Sequence, residues 1–353
     1  MKFASMTHYE RVASPSASLR LHLNENTAGC SPRVLAALQA VTREQAAFYP
    51  DYERATERCA ERLGVAAAGT VLTNGLDEGI LAVSLAALRQ GREKGTVDAI
   101  IPEPAFDMYA SCADAAGATL VQIQPQPDLM FSVDRVLDAI GRRTAIVFLT
   151  TPNNPTGVPV DRSAILRVAE KARHALVLVD EAYADFAGAT LIGDPALAAL
   201  PNVVIGRTFA KAYGLAGIRL GALIGHPSTL DPIRRVLPPY SVNAYAVAAA
   251  EAAFADLEYY DWYRGEVEQS RTLLCESLTR LGVRFWPSAA NFVLAYFGQR
   301  SADVLSGLAA RGITVRDRSH DPGCEGCIRI TAGVASHTRL CVAALEEVLC
   351  GAR

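Results

Sequence analysis

No stretch of this 353-residue chain is apolar for long enough to cross a membrane as a helix. Charge of one sign is not in excess either: 34 Lys and Arg stand against 37 Asp and Glu, a net of −3. That balance is no footprint for nucleic acid or for an anionic membrane surface. The segment from Met1 to His8 lacks the apolar centre of a signal peptide, so a cytoplasmic protein is expected. There is no internal repeat, no low-complexity tract, and no basic region ahead of the first helical pattern. A glycine-rich loop ending in Gly-Lys-Ser/Thr is missing, which removes the P-loop nucleotide site. Among the eight cysteines only Cys324 and Cys327 stand close together. Zinc would need a second pair or histidines at ligand spacing, and only His320 is near, so no metal is expected. Scattered cysteines in a chain this long read as reduced thiols.

Half of the residues are hydrophobic and a fifth are charged, the composition of a globular chain. The length exceeds one typical core, which suggests a large unit and a smaller one. From Thr70 onward, strand-like runs at 97–101, 120–123, 145–149, 176–179, 203–205 and 222–224 alternate with helical patterns. Those helical patterns fall at 78–88, 107–116, 133–140 and 163–172. Short Val/Ile/Leu strands between helices predict an α/β fold with a mostly parallel sheet covered on both faces. After Pro238 and Pro239 comes one long helical region, 243–281. Short strands at 292–296, 313–315 and 328–331 follow, with helices at 302–310 and 338–349, the pattern of a smaller α+β unit. Residues 1–45, with a helix at 32–40, are expected to form an arm packed on that smaller unit. The large unit is placed at 46–255 and the small one at 256–353.

Ligands of such sheets bind at the carboxyl ends of the strands, and the chemically versatile residues fall there. Lys211 follows the strand at 203–205 in Arg207-Thr208-Phe209-Ala210-Lys211, and Arg219 stands eight positions later. A lysine with a nearby hydroxyl and guanidinium suits pyridoxal phosphate (PLP). The amine forms a Schiff base with the aldehyde, while Thr208 and Arg219 hold the phosphate. That cofactor needs a buried carboxylate beside its ring nitrogen, donors to its phenolic oxygen, a ring cover, and N–H groups for its phosphate. Asp180, ending Leu176-Val177-Leu178-Val179, supplies the carboxylate, and Tyr183 a phenol on the same rim. Asn154, within Thr151-Pro152-Asn153-Asn154-Pro155-Thr156-Gly157, offers an amide. Phe106, in a proline-bounded loop, suits the ring cover. Gly75, Leu76 and Asp77 open a helix whose first N–H groups can take a phosphate.

In this order the motifs resemble the fold-type I, class I/II PLP aminotransferases. Within these the chain looks most like the histidinol-phosphate aminotransferase family. Leu23-Asn24-Glu25-Asn26 is similar to that family's Asn-Glu-Asn signature, and Tyr49-Pro50-Asp51 to its Tyr-Pro-Asp. Arg316 and Arg329, thirteen residues apart, resemble its two arginine motifs. The resemblance implies a seven-stranded sheet and a homodimer in which Tyr49 reaches the partner's cofactor phosphate. It also implies Arg329 on the substrate carboxylate and Arg316 facing the phosphate of histidinol phosphate, with Tyr9 and Asn24 assisting. The implied reaction is histidinol phosphate plus 2-oxoglutarate giving imidazole acetol phosphate plus glutamate, a step of histidine biosynthesis. The chain departs from the pattern at Ala210, where a serine is common, and at Phe106, where a tyrosine is common. An aminotransferase for aromatic amino acids and a decarboxylase for phosphorylated amino acids are the competing readings. A PLP-binding regulator is disfavoured by the absence of a DNA-binding extension.

Overall fold

The structure, a computed structural model, describes residues 18–93 and 97–351. Its strands are β1 (Leu19–Leu21), β2 (Thr70–Thr73), β3 (Asp98–Pro102), β4 (Thr119–Ile123), β5 (Thr144–Thr150) and β6 (Leu176–Asp180). After them come β7 (Val203–Thr208), β8 (Gly221–Gly225), β9 (Arg284–Phe285), β10 (Phe292–Tyr296), β11 (Ile313–Asp317) and β12 (Cys327–Thr331). Seven form one sheet in the order β2-β8-β7-β6-β5-β3-β4. Every pairing in it is parallel except those of β8, which runs against both β2 and β7. β5 and β7 are buried at every position, as continuous apolar strands must be when helices cover both sheet faces.

A five-stranded sheet, ordered β1-β11-β12-β10-β9, stands beside it. Each sheet has its own apolar core. The helix Leu257–Arg280 serves both, with Tyr260, Tyr263 and Val267 in the larger core and Leu274 and Leu278 in the smaller. The expected single helical region at 243–281 is two helices, Ala244–Ala255 and Leu257–Arg280. Asp256 separates them because its side chain accepts the Tyr259 N–H and caps the second helix.

The N-terminal arm divides between the two sheets. β1 pairs with β11, in line with packing on the smaller unit. The helix Pro32–Gln39 does not: it lies against Ala244–Ala255, and Val34 enters the larger core. Its placement on the smaller unit is therefore corrected. An eight-residue amphipathic helix carries no mark of which core its apolar side will meet. The chain between β1 and this helix must cross from one sheet to the other.

Phe148, in the middle of β5, is fully buried and stacks on Tyr109 at 5.0 Å. Truncating it to Ala should cost about 3–5 kcal/mol, read as a shift in the denaturant midpoint.

Candidate active site

Strand direction decides which residues meet. β5 and β6 end at Thr150 and Asp180, and β7 ends at Thr208, just before Lys211. Because β8 is antiparallel, its first residue, Gly221, lies opposite Thr208. On its other side Gly221 lies opposite Thr73, the last residue of β2. Arg219 and Gly75 are thereby drawn to the edge that holds Lys211. Gly75 has φ +74°, and a Cβ there would sit 2.4 Å from Arg219 Nη2, so only glycine leaves room for the guanidinium. Arg219 has φ 63° and Asn24 φ 54°, left-handed conformations that cost a non-glycine residue energy and collect at functional sites. Arg219 Nη2 donates to Asp77 Oδ2 at 2.6 Å.

These side chains line a cavity of about 540 Å³ between the two sheets. Lys211 Nζ donates to the carbonyl of Leu23 at 3.0 Å, where the N-terminal arm crosses. Burial, assisted by the nearby Arg329, lowers the Lys211 pKa to about 8. Asp180 accepts from the Tyr109 phenol at 2.6 Å and from the Ala182 N–H at 2.8 Å. Burial raises its pKa to about 6, while the two donors pull it down. Thr150 Oγ lies 2.7 Å from the same phenol. Asn24 donates its amide to the Tyr183 hydroxyl at 3.1 Å. The Ala210 N–H donates to Thr208 Oγ at 3.2 Å, which leaves that hydroxyl its own proton to donate.

The five-stranded sheet contributes the other wall. Arg316 and Arg329 are directly opposite in the antiparallel β11–β12 ladder, so both side chains emerge on one face. Like charges at such a pair are destabilising unless an anion is meant to lie there. Arg329 is buried; its Nη2 donates to the His22 carbonyl at 2.8 Å, and Asn154 Oδ1 accepts from its Nη1. Its Nε is buried with no hydrogen-bond partner among the described residues. Burial, with Arg318 and Arg316 nearby, lowers its pKa to about 10.

Of the residues singled out from sequence, Asn24, Leu76, Asp77, Phe106, Asn154, Asp180, Tyr183, Thr208, Lys211, Arg219, Arg316 and Arg329 line this one cavity. Gly75 packs directly on Arg219. Tyr49 does not line it: the residue is 77% exposed and stacks on Tyr240 at 4.1 Å. Tyr9 lies outside the described residues. Sequence reasoning missed Tyr109, Thr150 and Arg318, which also line the cavity. Arg318 was legible by alternation, since it stands two residues from Arg316 and shares its face. Nothing local marks Tyr109, which reads as an ordinary helix residue until its phenol is seen on Asp180.

The residues present suit PLP. The volume is that of a cofactor-sized pocket. The glycine cradle at Gly75, the first-turn N–H groups of the helix Gly75–Glu93, Thr208 and Arg219 would hold the cofactor's phosphate. Lys211 supplies an amine and Asp180 a buried carboxylate to the same cavity, the two groups that the cofactor's aldehyde and ring nitrogen call for. Only a neutral amine attacks an aldehyde, so covalent capture of PLP by Lys211 should rise with pH and level off near 8. Below that it should fall about tenfold per pH unit, followed by visible absorption of the protein as it takes up the cofactor. A plateau only above pH 10 would show an unperturbed lysine.

Residues 17–347 match the family model for Aminotransferase class I and II. The histidinol-phosphate aminotransferase of Symbiobacterium thermophilum is 34% identical over 334 residues, covering 94% of this chain and 90% of its own. That of Rhodospirillum centenum is 36% identical over 341 residues, covering 94% and 92%. The crystal structure of histidinol-phosphate aminotransferase from Sinorhizobium meliloti in complex with pyridoxal-5'-phosphate superposes with a TM-score of 0.82. It is 26% identical, and the match covers 95% of this chain and 91% of that one. A match over nearly the whole chain, on a fold whose converging strand ends carry the expected lysine and aspartate, makes this protein a member of the class I and II aminotransferases.

Proposed function

We propose that the chain is a PLP-dependent histidinol-phosphate aminotransferase with 2-oxoglutarate as amino acceptor. The observation that carries this reading is the cross-strand pair Arg316–Arg329, facing the same cavity as Lys211 and Asp180. A substrate with anions at both ends needs a cation for each. Arg329, anchored by Asn154 and the His22 carbonyl, is oriented for the α-carboxylate, and Arg316 for the distal phosphate. The names carried by relatives at 34% and 36% identity support the same substrate.

When bound, PLP supplies an aldehyde and a ring that accepts electrons. The chain's residues do the rest. Asp180 holds a proton on the ring nitrogen, and Tyr109 and the Ala182 N–H keep that carboxylate aimed. Lys211 Nζ would take the proton from the donor's α-carbon and return it to the carbon that had been the cofactor's aldehyde, its lowered pKa leaving the amine free to accept a proton near neutral pH. Tyr183, steadied by Asn24, and the Asn154 amide serve the phenolic oxygen, and Phe106 covers the ring. Tyr49, projecting from its own chain, reaches the cofactor phosphate of a second copy in a homodimer.

Adding histidinol phosphate to the purified holoenzyme without a keto acid should bleach the yellow cofactor band, and 2-oxoglutarate should restore it. A band that ignores histidinol phosphate but responds to phenylalanine or tyrosine would move the substrate to the aromatic amino acids. Arg316→Ala removes a charge-assisted contact of about 1.5–3 kcal/mol, so KM for the phosphorylated donor should rise about ten- to a hundredfold. The KM for an unphosphorylated aromatic donor should change little. Equal losses for both donors would exclude Arg316 as the phosphate reader.

A further inference from the structure

Arg318 is a fourth guanidinium in the cavity, beside Arg219, Arg316 and Arg329, and the proposed reaction leaves it without an anion. Its N–H donates to the Cys327 carbonyl at 3.0 Å, which continues the β11–β12 ladder past Asp317 and fixes the direction of the side chain. That side chain is buried, and its Nε and Nη2 donate to protein groups. Nε donates to Asp321 Oδ2 at 2.5 Å, and Nη2 contacts the same carboxylate. Nη1 lies 3.8 Å from Asp107 Oδ2, and Nη2 donates to the Ala105 carbonyl at 3.5 Å. Ala105 and Asp107 are the two neighbours of Phe106. On the other side of this loop, Asn153 Nδ2 donates to the Pro104 carbonyl at 3.1 Å. The loop is thus tethered to the seven-stranded sheet through Asn153 and to the five-stranded sheet through Arg318. Phe106 itself meets Tyr109 edge-on at 5.8 Å, and Tyr109 holds Asp180.

We infer that Arg318 is a positioning residue that clamps the Phe106 loop to the strand bearing Arg316 and so holds the ring cover in place. The inference rests on the proposed role of Phe106 above the cofactor. A lysine could not replace the arginine, because one ammonium cannot span Asp321, Asp107 and the Ala105 carbonyl together. Loss of the guanidinium would also strand the half-buried Asp321 carboxylate, so the test includes variants that keep a charge there.

The experiment compares R318K, R318M, D107N and F106A with wild type as holoenzymes. It follows the visible circular dichroism of bound PLP, kcat and KM for glutamate and for histidinol phosphate, and the melting temperature of the cofactor-free protein. F106A reports what loss of the ring cover does to the dichroism. R318M and R318K should reproduce that change and lower kcat for both donors by about tenfold or more, with KM nearly constant. D107N, which removes one tether at a more exposed position, should shift the same readouts in the same direction by less. Unchanged dichroism and kcat in R318K and D107N, with only the melting temperature lowered, would make Arg318 a structural ion pair and overturn the clamp. A rise in KM for histidinol phosphate alone would overturn it in favour of a direct anion ligand. If wild type takes up PLP but F106A leaves the dichroism untouched, the reading of Phe106 fails first and the clamp with it.

Discussion

The backbone ladder through β2, β8, β7 and β6 governs where every charged group of the site can stand. A parallel strand in the position of β8 would carry Arg219 to the far edge of the sheet, away from Lys211. Running it antiparallel puts the start of β8, the end of β7 and the end of β2 side by side. The cost is close backbone contact: a Cβ on Gly221 would lie 2.7 Å from Leu76 N. Glycine at that position and at Gly75 lets a helix N-terminus and a guanidinium share one small volume. The meeting of these strand ends follows from hydrogen-bond register before any side chain is considered.

The same convergence sets up an electrostatic tension. Lys211, Arg219, Arg316, Arg318 and Arg329 line one cavity with Glu25, Asp77 and Asp180. Burial pushes Lys211 down to about 8, Asp180 up to about 6 and Arg329 down to about 10. Each shift favours the neutral form, as expected where charge is separated from water. Anions entering the cavity would relieve the repulsion among the cations, and a cation beside Asp180 would relieve its burial as a carboxylate. The protein holds strain that its ligands release, so ligand binding and folding stability are linked.

The N-terminal arm and the helix Leu257–Arg280 join the two halves of this arrangement. The helix shares its length between two apolar cores. The arm pairs with β11, passes the cavity and packs its helix on the larger unit. On the way it supplies the His22 carbonyl to Arg329, the Leu23 carbonyl to Lys211 and the Asn24 amide to Tyr183. Three consecutive residues of one strap therefore touch both walls of the site, two of them through backbone carbonyls that no side-chain pattern announces.

Much of the fold was legible because the relevant signals are local. The strands of the larger sheet were visible as short apolar runs, and Lys211, Asp180 and Asn154 as polar residues just past their ends. β2 escaped because Thr70-Val71-Leu72-Thr73 has only two apolar residues between its threonines, and the break at Asp256 escaped because a capping aspartate inside a helical pattern resembles a surface one. The chain alone determined most of its element types, the identities of the chemical groups and, through the two-residue spacing of Arg316 and Arg318, their common face. Only the tertiary structure decided which groups meet: Tyr109 on Asp180, the Leu23 carbonyl on Lys211, Arg318 on the Phe106 loop. Those pairs lie far apart along the chain and depend on strand order and on packing between two sheets, information that exists in the three-dimensional register and in no short window of sequence.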